Sequence, residues 1–217
     1  MRHRARTNAA HSRTIYKLLS VLLLYPDHQV LEAEEEIAEA IAALPPSRQR
    51  EAIERFWASW TEATPTERAQ RYVETFDFQK RCSLDLSFYL QGDKRQRGMI
   101  LLRLKHLYAA AGLLSEGKEL PDYLPVMLEF AALAPEGYGE TILRELRPAL
   151  EAVRTSLREF NSPYVHLLDA LCYGLPRLTP LEAQRVQHIM AEGPPSEQVG
   201  LEPFAPPEVM PATEARR

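Results

Sequence analysis

Apolar residues recur along almost the whole chain at the spacing of an α-helix, and prolines beside capping residues cut that pattern into segments. Ile15, Leu18, Leu19, Leu22 and Leu23 share one helical stripe that Pro26 stops, which predicts a first buried helix from about Ser12 to Leu24. Asp27 is placed to cap a second helix whose Leu31, Ile37, Ile41 and Leu44 face inward. Its Glu32, Glu34, Glu35, Glu36 and Glu39 are expected in water, and Pro45-Pro46 ends it. Ser47 opens a third helix with Ile53, Phe56, Trp57 and Trp60 in the core. Thr64-Pro65-Thr66-Glu67 combines an N-cap, a first-turn proline and a capping-box glutamate, so a fourth helix follows with Tyr72, Val73 and Phe76 inside.

A long helix to about Ala111 is expected beyond residue 93, closed by Gly112 in the left-handed conformation that a side chain would penalise. Asp122 can cap the next helix, with Pro125 in its first turn. The stripe Ile142, Leu143, Leu146, Leu150, Val153, Leu157 and Phe160 contains Pro148, which predicts a kink or break. Ser162-Pro163 and Thr179-Pro180-Leu181-Glu182 each begin a further helix. No sustained apolar-polar alternation occurs, so the expected fold is all-α. Residues 1–12 form an expected mobile basic arm and 13–192 one helical domain. Residues 193–217, rich in proline and poor in apolar side chains, bury too little surface to offset their ordering entropy and are expected to be disordered.

At 217 residues with net charge −4, the chain has no overall attraction to nucleic acid or anionic lipid. Cys82 and Cys172 are far apart and outside any C-x-x-C motif, which suits a reducing cytoplasm. The basic start followed by Leu18–Leu24 imitates a secretory signal, but Lys17 and Ser20 interrupt the run and no small-residue cleavage site precedes Pro26. No apolar stretch approaches the roughly 20 residues of a membrane-spanning helix. The six histidines show neither H-E-x-x-H nor Glu-x-x-His spacing, and the phosphate-binding glycine motifs and the nucleophile elbow are absent. Neither a metal site nor a catalytic set is expected.

One stretch departs from helical order. Thr75-Phe76-Asp77-Phe78 is followed by Ser83-Leu84-Asp85-Leu86 and Gly92-Asp93-Lys94-Arg95-Gln96-Arg97-Gly98. Lys80, Arg81, Lys94, Arg95 and Arg97 there either hold an anionic partner or form a solvated basic surface. Phe76, Phe78, Phe88 and Tyr89 suit the core, or protein-binding anchors where exposed. Glu119-Leu120-Pro121-Asp122-Tyr123-Leu124-Pro125 admits two readings as well: plain helix capping, or acids facing a positively charged peptide.

Taken jointly, Asp77-Phe78, Ser83-Leu84-x-Leu86, Gly92-Asp93-x-Arg95-x-Arg97-Gly98, Glu119-Leu120-Pro121-Asp122-x-Leu124 and Leu128-Glu129-Phe130 resemble the NarJ family of nitrate reductase assembly chaperones, within the wider TorD-like molybdoenzyme chaperones. Tyr25-Pro26-Asp27 resembles it too, and the likeness runs from about Thr14 to Met190. It implies a compact TorD-like helical bundle acting as a cytoplasmic chaperone, not an enzyme. Its client would be the catalytic alpha subunit of a respiratory nitrate reductase, bound chiefly at the N-terminal region and kept competent for insertion of the molybdenum bis-guanine-dinucleotide cofactor. The chaperone itself would hold no permanent cofactor. Carried onto this chain, the client-binding candidates are Asp77, Phe78, Ser83, Tyr89, Arg95, Arg97, Glu119, Pro121, Asp122 and Tyr123. Tyr123 stands where the TorD-like signature has histidine, which puts any pH response of that imidazole in doubt. The alternative is a helical adaptor or DNA-binding regulator using Arg2–Arg13 on phosphates, against which the negative net charge counts.

Overall fold

The computed structural model describes residues 2–89, 94–113 and 119–193, with side chains described from Ala10 onward except at 94–96. Among these residues the chain is helical, with a single isolated β-bridge and no strand. The helices are α1 (Arg2–Leu22), α2 (His28–Glu32), α3 (Glu34–Ala42), α4 (Arg48–Thr61), α5 (Pro65–Tyr72), α6 (Lys94–Ala110), α7 (Leu124–Leu133), α8 (Tyr138–Glu145), α9 (Arg147–Glu159), α10 (Val165–Gly174) and α11 (Pro180–Glu192). The tail expected from 193 onward lies outside the described residues after Gly193.

The apolar stripe of α1 is buried between α7 and α10; α10 also packs on α4 and α9, and α11 covers α9. A run of rings crosses this core. Trp60, Phe56, Tyr164, Phe76, Tyr72 and Tyr25 follow one another with centroids 4.7–5.7 Å apart, mostly tilted or edge-to-face as ring quadrupoles prefer. The run starts in the interior and ends at Tyr25, which is exposed. On the other side of α7, α8 approaches so closely that a Cβ on Gly139 would lie 2.4 Å from Ala131, so only glycine fits there.

Local punctuation formed much as expected. Asp27, Ser47, Thr64 and Thr179 each cap their helix through the side chain, and the last two complete capping boxes with Glu67 and Glu182. Gly112 closes α6 at φ 75°. Pro148 falls in the first turn of α9, after a break at Leu146.

Four expectations need correction. The first helix begins at Arg2 instead of Ser12, because nothing in Arg2–His11 opposes helix and several residues favour it. The second divides at Ala33 into α2 and α3. Phe160 is half exposed, since α9 ends there and Asn161 turns left-handed at φ 52°. Ser162 does not cap α10: its N–H returns 3.0 Å to the Leu157 carbonyl to finish α9, and its hydroxyl meets that of Thr75 at 3.2 Å.

Glu34 also leaves the acidic run assigned to water. Arg68 of α5 is buried, donates from Nε to the Trp60 carbonyl at 2.8 Å, and pairs through Nη1 with the Glu34 carboxylate. The same carboxylate accepts from Trp60 Nε1 at 3.4 Å, so one ion pair ties α3, α4 and α5. Arg68→Ala is expected to lower unfolding free energy by about 2 kcal/mol, below the ~3–5 of a fully buried pair because Glu34 keeps partial contact with water. Urea denaturation at neutral pH checks this, with Glu36→Ala as the exposed control changing stability by less than about 0.5 kcal/mol.

Candidate functional site

Irregular backbone begins where α5 gives way to a π-helical turn over Val73–Asp77, closed by the Phe78 N–H on the Val73 carbonyl at 3.1 Å. The wider turn sends Thr75 and Phe76 inward and leaves Asp77 and Phe78 outside, Phe78 being 72% exposed. Short 3₁₀ turns follow at Lys80–Cys82 and Leu86–Tyr89.

Buried backbone outside a helix still needs hydrogen-bond partners, and residues 84–87 find them across the chain. The Leu86 N–H donates to the Asp122 carbonyl at 3.1 Å and the Leu124 N–H to the Leu84 carbonyl at 2.9 Å, setting Asp85 opposite Tyr123 in an antiparallel bridge. Asp122, fully buried, adds its side chain: Oδ2 accepts from the Ser87 N–H at 3.2 Å and the Ser87 hydroxyl at 2.5 Å. Asp122 therefore does not cap α7. Tyr123 holds the N-cap position with no side-chain cap, although Pro125 does sit in the first turn. The carboxylate turns to Ser87 because that hydroxyl and N–H offer two donors in a dry site, whereas a cap offers one or two at a wet helix end.

Two tyrosines anchor the same junction. Tyr108 of α6 donates to the Pro121 carbonyl at 2.6 Å, and the Tyr72 hydroxyl lies 3.0 Å from that of Tyr123 and 3.3 Å from the Leu23 carbonyl. Each hydroxyl has one proton, so Tyr123 donating to Tyr72 and Tyr72 to Leu23 satisfies all three groups. Burial raises the pKa of both hydroxyls, and around Tyr123 the charges of Glu119, Asp85 and Asp77 add to that rise.

Of the expected site residues, the junction thus gathers Asp77, Glu119 and Tyr123 at one surface, with Phe78 adjoining Asp77. Ser83 is half-buried; its hydroxyl accepts from the Asp85 N–H at 3.2 Å and its carbonyl from the Tyr89 hydroxyl at 2.9 Å. Tyr89, Pro121 and Asp122 are buried and support the junction from within. Arg97 is half-buried with its guanidinium 5.9 Å from the centre of the Phe88 ring, and its Nε has no hydrogen-bond partner among the described residues. The side chain of Arg95 lies outside the described residues, as do Gly92 and Asp93.

Sequence reasoning did not name Tyr25, Tyr72, Asp85 or Ser87 as site residues, although Tyr25-Pro26-Asp27 entered the resemblance and Tyr72 the expected core. Tyr25 carried a usable signal, an aromatic residue at the wet end of an apolar stripe just before a proline. Asp85 had none beyond its neighbours. Among the described residues no three His, Cys, Asp or Glu side chains gather as a metal site, and none of the helices is long and apolar enough to cross a membrane. Both thiols are free and buried; burial pushes Cys82 up to about 11 and Cys172 up to about 12, so neither is a ready nucleophile.

The sequence profile of the family described as nitrate reductase delta subunit matches residues 27–170, which is more than half of the chain and includes the 77–89 and 119–124 segments of this junction. The chain belongs to that family. It is 32% identical over 168 residues to the probable nitrate reductase molybdenum cofactor assembly chaperone NarJ of Bacillus subtilis, covering 77% of this chain and 91% of that protein. It is 33% identical over 156 residues to NarJ of Escherichia coli K12, covering 71% of this chain and 66% of that one. A nitrate reductase-like protein NarX of Mycobacterium tuberculosis matches at 33% over 158 residues, 73% of this chain but 24% of the longer relative. The resemblance drawn from Asp77-Phe78 through Phe130 is thereby a family relationship.

Asp85 lies half-buried at the junction. Burial raises its pKa above the usual aspartate range, Asp122 and Glu119 add to the rise, and Arg97 opposes it. A folded-state pKa above the unfolded one means that the ionised form is disfavoured by folding. The penalty is full above the folded pKa and is relieved as pH falls towards the unfolded value of about 3.9. Asp85→Asn should accordingly raise the melting temperature at neutral pH, with the gain shrinking steadily as pH is lowered into the acid range. A gain independent of pH would show that charge is not its origin.

Proposed function

We propose that this protein is a chaperone for a respiratory nitrate reductase, binding the catalytic alpha subunit before assembly and keeping it competent for molybdenum cofactor insertion. The relatives named as nitrate reductase molybdenum cofactor assembly chaperones support the client. The observation that carries the mode of binding is the surface of the 77–85 and 119–123 junction, where the charges of Asp77, Asp85 and Glu119 act on Tyr123, the exposed Phe78 follows Asp77 in the chain, and the exposed Tyr25 packs on Tyr72, whose hydroxyl meets Tyr123.

That combination suits one kind of ligand. An amphipathic helix with a basic face, of the kind a targeting-like N-terminal segment provides, lays its apolar side on Phe78 and Tyr25 and its lysines or arginines beside the acids. The aromatics supply affinity by losing contact with water, and the acids supply orientation and rate of encounter. Asp122 acts from below by holding Asp85 and Tyr123 opposite each other, so its role in client binding is positional. Arg95 and Arg97 stand on the first turns of α6 and meet acidic parts of the client. The protein works in the cytoplasm, holds no permanent cofactor and turns over no nitrate; the molybdenum bis-guanine-dinucleotide cofactor belongs to the client.

Calorimetry with a synthetic peptide of the alpha subunit's N-terminus tests this. Saturable binding is expected, weakened about tenfold by Phe78→Ala, since truncating a central aromatic anchor costs on the order of 1–2 kcal/mol. Asp77→Asn with Glu119→Gln should weaken it most at low salt, where attraction between charges is least screened. Absence of heat at concentrations well above micromolar, together with no co-purifying alpha subunit, would overturn the client assignment. Arg95→Ala with Arg97→Ala should impair assembly of active reductase more than it lowers the melting temperature; the reverse pattern would make the pair structural.

A further inference from the structure

A second recognition feature lies elsewhere on the molecule and has the opposite charge. Helices α6, α8 and α11 and the start of α9 enclose a half-open cavity of about 430 Å³. Leu104 and Leu107 of α6, Ile142 of α8 and Pro148 of α9 give it an apolar floor. Its volume lies within the ~300–1,000 Å³ typical of sites for small organic ligands.

The charged groups on the lining do not cancel. Glu145 is taken by Arg103, whose Nη2 lies 2.6 Å from its carboxylate. Glu182 is taken by the N-cap of α11, accepting from the Thr179 N–H at 2.7 Å and hydroxyl at 2.8 Å, and those bonds hold its pKa below the usual range. Arg144 and Arg185 line the same cavity from its exposed rim; Arg185 adds to the lowering of the Glu182 pKa, but neither arginine makes an ion pair or a hydrogen bond among the described residues. An apolar floor with two guanidiniums that make no direct ion pair is complementary to a ligand whose body is apolar and whose head is anionic, since guanidinium pairs strongly with carboxylate, sulfonate and phosphate oxygens. A solvated surface arginine requires no such floor.

We propose that this cavity binds a small amphiphilic organic anion, its apolar body against Leu104, Leu107, Ile142 and Pro148 and its anionic head held by Arg144 and Arg185. None of these residues belongs to the acid-and-aromatic surface assigned to the client, so the two sites are separable by mutation.

The test uses 8-anilinonaphthalene-1-sulfonate as the anionic probe and N-phenyl-1-naphthylamine as its uncharged counterpart, with the full chain throughout. The sulfonate is expected to saturate one site and to perturb the methyl resonances of Leu104, Leu107 and Ile142. Arg144→Glu with Arg185→Glu should weaken it at least tenfold while changing the neutral probe less than twofold. Phe78→Ala should leave sulfonate binding unchanged. Circular dichroism melts verify that the variants are folded, and Arg144→Gln with Arg185→Gln serves as a milder pair should reversal destabilise the chain. Sulfonate binding that persists at wild-type strength in a folded charge variant, that never saturates, or that falls with Phe78→Ala would overturn the proposal.

Discussion

The junction between residues 84–87 and 122–124 is the constraint on which the rest of the site depends. Leaving helix in the middle of a helical protein exposes backbone N–H and C=O groups that cannot stay unpaired once buried. Two backbone hydrogen bonds and the Asp122 carboxylate meet that requirement, and in doing so fix where the chain before α6 stands relative to the chain before α7. Asp85, Tyr123 and Glu119 are brought together as a consequence. Tyr108 extends the same tie to α6 through Pro121.

The site is also continuous with the core. The run of rings from Trp60 to Tyr25 passes through Tyr72, whose hydroxyl meets Tyr123, so the exposed Tyr25 rests on a packed neighbour. Side chains supported in this way lose little freedom when they are covered, which would favour the affinity of the client surface proposed above. The π turn that ends α5 contributes by rotating Asp77 and Phe78 outward while Phe76 stays in the run.

Net charge conceals how charge is distributed. A total of −4 suggests a mildly acidic surface of no special character. The fold gathers Asp77, Asp85 and Glu119 near Tyr123 and sets Arg144 and Arg185 on the lining of the cavity. The acids near Tyr123 and the cavity-lining arginines stand on different elements, so the two proposed sites rest on separate residues.

What the sequence determined by itself was whatever depends on neighbours in the chain. Helical periods, the caps at Asp27, Ser47, Thr64 and Thr179, the left-handed stop at Gly112 and the break at Pro148 involve residues within about one turn of each other, and each is visible as a short pattern. The family likeness was legible for a similar reason, since its motifs are short runs in a fixed order. Partner choice over distance was not legible. Asp122 before a helix carries the signature of a cap, yet it bonds Ser87, 35 residues away; Glu34 in an acidic run carries the signature of a wet face, yet it pairs with Arg68, 34 residues away. A carboxylate's local sequence shows which bonds it can make, and only the tertiary structure decides which donors share its dry surroundings, because the cost of leaving a buried group unpaired is set by where the chain has packed.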